Sequence, residues 1–292
     1  MARLLELSDA RHRLRIAPHA GAAIATFDAR TAAGPVPILR GTETPDAGAF
    51  DLGCNLLVPF SNRISGGGFR FAGTFHPVAP NLAGEPYPIH GDGFQAAWTV
   101  RDASGSAAHL THLGEIGPYR YAASVTYSLA GGGLETSLTM ENRGPALPFG
   151  GGFHPWFPRT PATRLQFAAQ GVWTETADHL PVAHLPLAER PEWDFGTASP
   201  LPEGFINNAF TGWDGTARIL QPDHGIALSL SATPPCTVAQ VFSPEPGCGF
   251  FCFEPVSHTV NAHNQPGQPG LVVLEPGQSL TLSMTLHWEA LP

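Results

Sequence analysis

Two short stretches set titratable side chains among aromatic rings. In GGFHPWFPRT (151–160) His154 stands between Phe153 and Pro155, and in GFFCFEPVSH (249–258) Glu254 follows Phe250, Phe251, Cys252 and Phe253. Burying a carboxylate costs heavily unless it is paired or its pKa rises, and a raised pKa suits a general base. An imidazole, titrating near neutrality, suits a general acid. Two further stretches carry polar groups that turn physics does not require: YPIHGDGF (87–94) with His90, and NLLVPFSNRISGGGFRFAG (55–73) with Asn62 and Arg63. Arg63, between an apolar run and glycines, fits a guanidinium fork aimed into a cleft, gripping ligand hydroxyls or holding Glu254 in its charged form. Each residue also has a plainer reading. Glu254 points outward at a strand end, out of phase with Phe251 and Phe253; the histidines are hydrogen-bonded structural residues; Arg63 is a solvated turn residue.

The elements that must position these groups read as strands. Tyr121, Ala123, Val125, Tyr127 and Leu129 alternate with polar or small residues, Gly131-Gly132-Gly133 turns the chain, and Leu134, Thr136, Leu138 and Met140 continue the period as a hairpin. Leu282, Met284, Leu286 and Trp288 share one face of a C-terminal strand, and Ile226–Leu230 and Arg13–Ile16 repeat the theme. No capped segment of helical period is present, and the Gly 33 and Pro 30 residues interrupt helices and supply turns. The expectation is all-β, a sandwich or barrel in one domain over 1–292, with 178–205 a proline-rich excursion.

Composition removes several function classes. A net charge of -9 opposes nucleic-acid binding. All 15 basic residues are arginine, so a Schiff-base lysine and a phosphate-loop lysine are excluded. The N-terminal stretch lacks a signal-peptide core and no window approaches the ~20 apolar residues of a membrane span, so a cytoplasmic protein with no membrane partner is expected. Cys54, Cys236, Cys248 and Cys252 are too few and irregular for a disulfide framework. Cys248 and Cys252, with His258 beyond, match no standard zinc spacing and read as small buried thiols.

Taken in order, the N-R turn at 62–63, P-I-H-G at 88–91, F-H-P-W-F at 153–157, FTGWDG at 210–215 and E-P-V-S-H at 254–258 resemble the motifs of the aldose 1-epimerase (galactose mutarotase) family. The resemblance implies a single large β-sandwich (supersandwich) of the galactose mutarotase type, with a sugar cleft on a concave face and no cofactor or metal. It implies Glu254 as general base, His154 as general acid, and Arg63 and His90 as substrate-positioning residues, with Asn62 beside them. Rotation about C1–C2 in the ring-opened aldehyde would then interconvert the anomers of a neutral aldose, in a monomer or homodimer. A carboxylate beside His154 is expected to raise its pKa and keep it charged. Trp156, Phe157 or Trp213 would offer a stacking wall to the sugar's C–H face.

The chain departs from that pattern at one place. The family's D-x-x-F segment carries an aspartate that binds sugar hydroxyls, and here INNAF puts Asn207 in its position. Asp214, in the W-D-G turn, reads as a backbone-bonding turn residue instead. Three rivals remain: a non-catalytic sugar-binding or regulatory protein, a hexose-phosphate epimerase needing extra cations, and a glycoside hydrolase needing a second carboxylate such as Glu85 or Asp92.

Overall fold

Tyr119–Ala130 and Gly133–Asn142 form the expected hairpin, joined through Gly131 and Gly132. In the computed structural model, which describes residues 3–44 and 47–291, the apolar residues of this hairpin line up across strands. Val125 lies opposite Leu138, and Leu138 opposite Leu282 of Ser279–Ala290; Ala123 lies opposite Met140, and Met140 opposite Leu280. These rows form the inner face of a nine-stranded sheet. It runs Ser199–Pro200, Arg164–Phe167, Thr216–Gln221, Ile226–Ala232, Ser279–Ala290, Gly133–Asn142, Tyr119–Ala130, Ala107–Ile116 and Thr99–Ala103.

The second large sheet among the described residues has eleven strands. Its main path is Leu5–Ser8, His12–Ala17, Ala23–Thr31, Cys54–Leu57, Gly152–Pro158, Phe250–Val256, Val238–Ser243, Ile206–Thr211, Gly171–Glu175 and Pro181–Pro186, with Gly34–Leu39 added to Ala23–Thr31. One continuous apolar cluster, including Leu56, Phe153, Phe251, Phe253, Val125, Leu138 and Leu282, joins the inner faces of both sheets. The helical segments described are six three-residue 3₁₀ turns. None of the described helices is long and apolar enough to cross a membrane.

The excursion expected over 178–205 is partly strand. Pro181–Pro186 pairs with Gly171–Glu175 as a hairpin at the sheet's edge. Prolines that obscure its alternation are tolerated there because one side of an edge strand needs no donors.

Period-two alternation decides which residues leave the core. Phe251 and Phe253 are fully buried between the sheets, so Cys252 and Glu254 face the other way, toward the outer face of the eleven-stranded sheet. In the neighbouring strand Phe153 and Phe157 take the core and His154 and Trp156 the outer face. Glu254 thus sits inside Phe250–Val256, not at its end, and is 3% exposed.

Candidate active site

Strand register brings the two key groups together. Gly152 lies opposite Val256 and Trp156 opposite Cys252, which sets His154 across from Glu254; on the flanking strands Asn55 pairs with His154 and Gln240 with Glu254. A transverse row of Asn55, His154, Glu254 and Gln240 therefore crosses four adjacent strands. Directly opposite residues in such a ladder hold their Cβ atoms about 5 Å apart, and His154 Nε2 lies 3.5 Å from Glu254 Oε1. Close strand approach is needed here, since a Cβ on Gly152 would sit 2.3 Å from the Pro255 carbonyl oxygen.

Loops complete the walls. Asn62 and His90 both adopt positive φ, and they bond reciprocally: the Asn62 N–H donates to His90 Nδ1 (3.1 Å) and the His90 N–H donates to the Asn62 carbonyl (3.1 Å). The glycine of P-I-H-G is required because a Cβ on Gly91 would lie 1.9 Å from the Val58 carbonyl oxygen. Phe50, on the short turn Ala49–Asp51, touches the rings of His90, His154 and Trp156. Trp156 stacks on His154 with ring centroids 4.8 Å apart, and the Arg40 guanidinium lies 4.7 Å from the Trp156 ring centroid.

These residues enclose a cavity of about 340 Å³, lined by Asn62, Arg63, His90, His154, Asn207 and Glu254, with Phe50, Trp156, Phe205, Phe242, Glu85 and His179 among the other walls. Glu254, His154, Arg63, His90, Asn207, Asn62 and Trp156, all singled out from sequence, line this one cavity. Trp213 and Phe157 do not. Both are buried in the core, Trp213 against Phe253 and Phe157 against Phe251, because they fall on the inward phase or behind the sheet. Asp214 accepts the Thr216 N–H as a turn residue. Cys252 is buried as expected, but Cys248 is exposed.

Electrostatics departs from the expectation for His154. Burial pushes its pKa down to about 3, and the Arg40 charge adds to the effect; no neighbouring carboxylate raises it. Burial likewise pushes Glu254 well above the ordinary carboxylate range, with Arg63 acting in the opposite direction. His90 is depressed by burial and then by His154 and Arg63. Burial thus disfavours the charged form of both groups. Glu254 Oε2 and His154 Nδ1 are buried without hydrogen-bond partners within the protein, as are a few side-chain atoms elsewhere, such as Thr136 Oγ1 and His263 Nδ1; here both face one cavity.

Arg63 is not a free fork. Its Nε and Nη2 donate to the two Glu85 oxygens at 3.0 and 2.9 Å. Glu85 is thereby committed, and Asp92 is engaged by the Tyr121 hydroxyl at 2.6 Å and the Glu115 N–H at 3.1 Å. Asn207 is not isolated either: its Nδ2 donates to Glu175 Oε2 at 3.0 Å and its Oδ1 accepts from Gln240 Nε2 at 2.8 Å. Glu175, His179, Gln240, Phe50 and Phe205 carried no motif. Their places follow from strand pairing and turns that only the fold reveals.

The match to known proteins agrees with this arrangement. The sequence profile of the aldose 1-epimerase family covers residues 3–287. The chain belongs to the aldose 1-epimerase family. It is 37% identical over 260 residues to the uncharacterized protein YphB of Escherichia coli strain K12, covering 87% of this chain and 89% of YphB. A crystal structure of a candidate aldose 1-epimerase from Escherichia coli K12 superposes with a TM-score of 0.91 at 35% identity, covering 99% of both chains. The GalM/aldose epimerase homologue of C. elegans shares the fold, with a TM-score of 0.85 at 16% identity over 100% of both chains. Within the family's galactose mutarotase-type fold, the outer face of the eleven-stranded sheet is the one that carries the cavity.

Proposed function

We propose that the protein is an aldose 1-epimerase, interconverting the α and β anomers of a neutral aldose by acid–base ring opening and closure. The observation that carries this reading is the pair of buried, incompletely bonded groups, Glu254 and His154, 3.5 Å apart on the wall of a sugar-sized cavity. Opening a hemiacetal requires one group to take the proton of the C1 hydroxyl while another protonates the ring oxygen. The aldehyde then turns about C1–C2, and reclosure reverses both transfers. Glu254 takes the first proton and His154 supplies the second.

The electrostatics bears on the timing. After ring opening the proton lies on Glu254 and His154 is neutral, which is the form that burial favours in the empty site. Closed sugar needs the other form, carboxylate and imidazolium. Hydroxyl donors of the bound sugar replace the solvent that Glu254 lost, and the Arg63 charge already favours its anion. The two forms differ by one proton moved across a short gap, so neither direction of the reaction needs a proton from outside.

A neutral substrate fits because Arg63 is matched by Glu85, and Arg40 is held against Trp156 and Phe250 with its Nη2 donating to the Phe50 carbonyl. Among the described residues, both arginines at the cavity are thus already engaged. A hydrolase reading lacks its second carboxylate, since Glu85 and Asp92 are both engaged elsewhere. The test is the NMR or polarimetric rate of anomer exchange on freshly dissolved α-D-glucose and α-D-galactose, with wild type beside Glu254→Gln. Acceleration by the wild type and its loss in the variant are expected; equal rates in both would overturn the assignment of the base.

A further inference from the structure

The cavity has a second polar end. On the edge hairpin, Glu175 closes the strand Gly171–Glu175, and the turn beyond it carries His179, whose φ of 60° is held by the surrounding backbone. The Thr176 N–H donates to the Leu180 carbonyl at 2.9 Å, the His179 N–H donates to the Thr176 carbonyl at 3.0 Å, and Thr176 Oγ1 accepts from the N–H groups of Asp178 and Leu180. A left-handed non-glycine residue is uncommon and persists where neighbours over-determine it. Here the turn aims an imidazole at the cavity.

That imidazole is also fixed in rotation. His179 Nδ1 donates to Glu175 Oε1 at 3.0 Å, which commits Nδ1 and leaves Nε2 for a ligand. The other Glu175 oxygen accepts from Asn207, and Asn207 in turn accepts from Gln240, the neighbour of Glu254 across the ladder. The chain Gln240–Asn207–Glu175–His179 thus ties the rim to the strand of the base. Its cavity-lining members, Asn207 and His179, keep unused capacity: one amide N–H, one carbonyl lone pair and one ring nitrogen. Phe205, half-exposed and lining the same cavity, lies against His179 with ring centroids 5.7 Å apart and offers an apolar face beside these groups. Opposite stands Arg63, already paired with Glu85, so the rim holds two carboxyls to one guanidinium.

We infer that His179, aimed by Glu175, is a specificity-determining residue that contacts hydroxyls of the sugar at the end away from C1, and that this rim admits an uncharged sugar end while disfavouring an anionic one. The inference rests on the aldose reading of the same cavity. His179 is the contacting residue and Glu175 a positioning residue, acting through His179 and Asn207.

The test compares wild type, His179→Ala and Glu175→Gln in anomer exchange on D-glucose, D-galactose and D-glucose 6-phosphate, with melting temperatures alongside. Losing one such hydrogen bond raises KM for the preferred neutral sugar by roughly 10-fold, with kcat within about 2-fold, the signature of lost uniform binding. Selectivity for glucose over its 6-phosphate is expected to fall by a similar factor in Glu175→Gln. Unchanged KM and selectivity in both variants would overturn the inference, and so would a fall in kcat and melting temperature at constant KM, which marks a structural role. Calorimetric titration of D-glucose and D-galactose into Glu254→Gln and into Glu254→Gln with His179→Ala separates this from the catalytic reading. Equal affinity in the two overturns the rim, whereas weaker binding in the double variant supports it even if the wild type accelerates no exchange.

Discussion

Consecutive backbone amides, those of Ser61 and Asn62, donate to His258 Nε2 and His90 Nδ1, yet the two imidazoles belong to clusters of different kinds. Behind the loop, His258 also donates from Nδ1 to the Thr259 carbonyl, and His263 Nε2 donates to the Tyr119 hydroxyl, which donates onward to Pro148. Every donor there has an acceptor, one ring nitrogen, His263 Nδ1, stays open, and the rings close on Phe60 and Phe69. In front, His154 and Glu254 face each other across 3.5 Å with an oxygen and a nitrogen left open beside a cavity. Burial depresses the histidines of both clusters, His258 to about 4 and His154 to about 3. A shifted pKa therefore marks burial in both, and a single open ring nitrogen occurs in both; what sets the front cluster apart is a carboxyl and an imidazole left open together on the wall of one cavity.

The sharpest way to break this contrast is Glu254→Gln. Exchange is expected to fall by about 10²–10⁴-fold, because only the proton acceptor is removed. The same variant should melt at a higher temperature at pH 7. A carboxyl whose folded pKa is raised disfavours folding above its ordinary pKa, and glutamine escapes that opposition. His154→Asn should lower the rate by about 10²-fold or more while remaining folded. If it unfolds instead, His154 belongs with the rear cluster.

The rear cluster should respond in the opposite way. His258→Asn removes the acceptor for the Ser61 N–H and leaves a buried donor unpaired, at about 1–3 kcal/mol. A melting temperature lower by several degrees is expected, with kcat within about 3-fold; a rate loss matching that of His154→Asn would erase the distinction. One further effect is shared by both clusters. His90, His154, His258 and His263 all lie below the ordinary value of 6.5, so below that pH the unfolded chain binds protons that the folded chain refuses. Stability should decline as pH falls from about 6.5 toward about 3. In a thermal melt series over that range, His258→Asn should show a shallower decline than wild type.

Much of this was legible in the chain because it is local. Alternation placed the hairpin over 121–141, within the observed strands, and the strand through Trp288, and motif order singled out seven residues that line one cavity. What stayed hidden depends on pairing between distant segments. Glu175 meets Asn207 across 32 residues, and nothing in the sequence near either announces the other. The His154 shift runs opposite to the sequence expectation because the carboxylate is visible in sequence, whereas the depth of burial and the approach of Arg40 are not. Trp213 sits beside a recognised motif, yet its ring turns to Phe253 in the core.

The transverse row of Asn55, His154, Glu254 and Gln240 carries a consequence for how such a protein changes over time. Because the proposed acid and base are neighbours in one ladder, a single-residue slip of either strand would send Phe153 or Phe253 into the cleft in their place. The chemistry is locked to the folding pattern and leaves little room for drift. The turn bearing His179 hangs at the sheet's edge, outside that lock, and can be lengthened, shortened or exchanged without shifting a single partner in the row. On the proposed reading, substrate preference is therefore the property that lineages, or an engineer, can rewrite while the reaction stays the same.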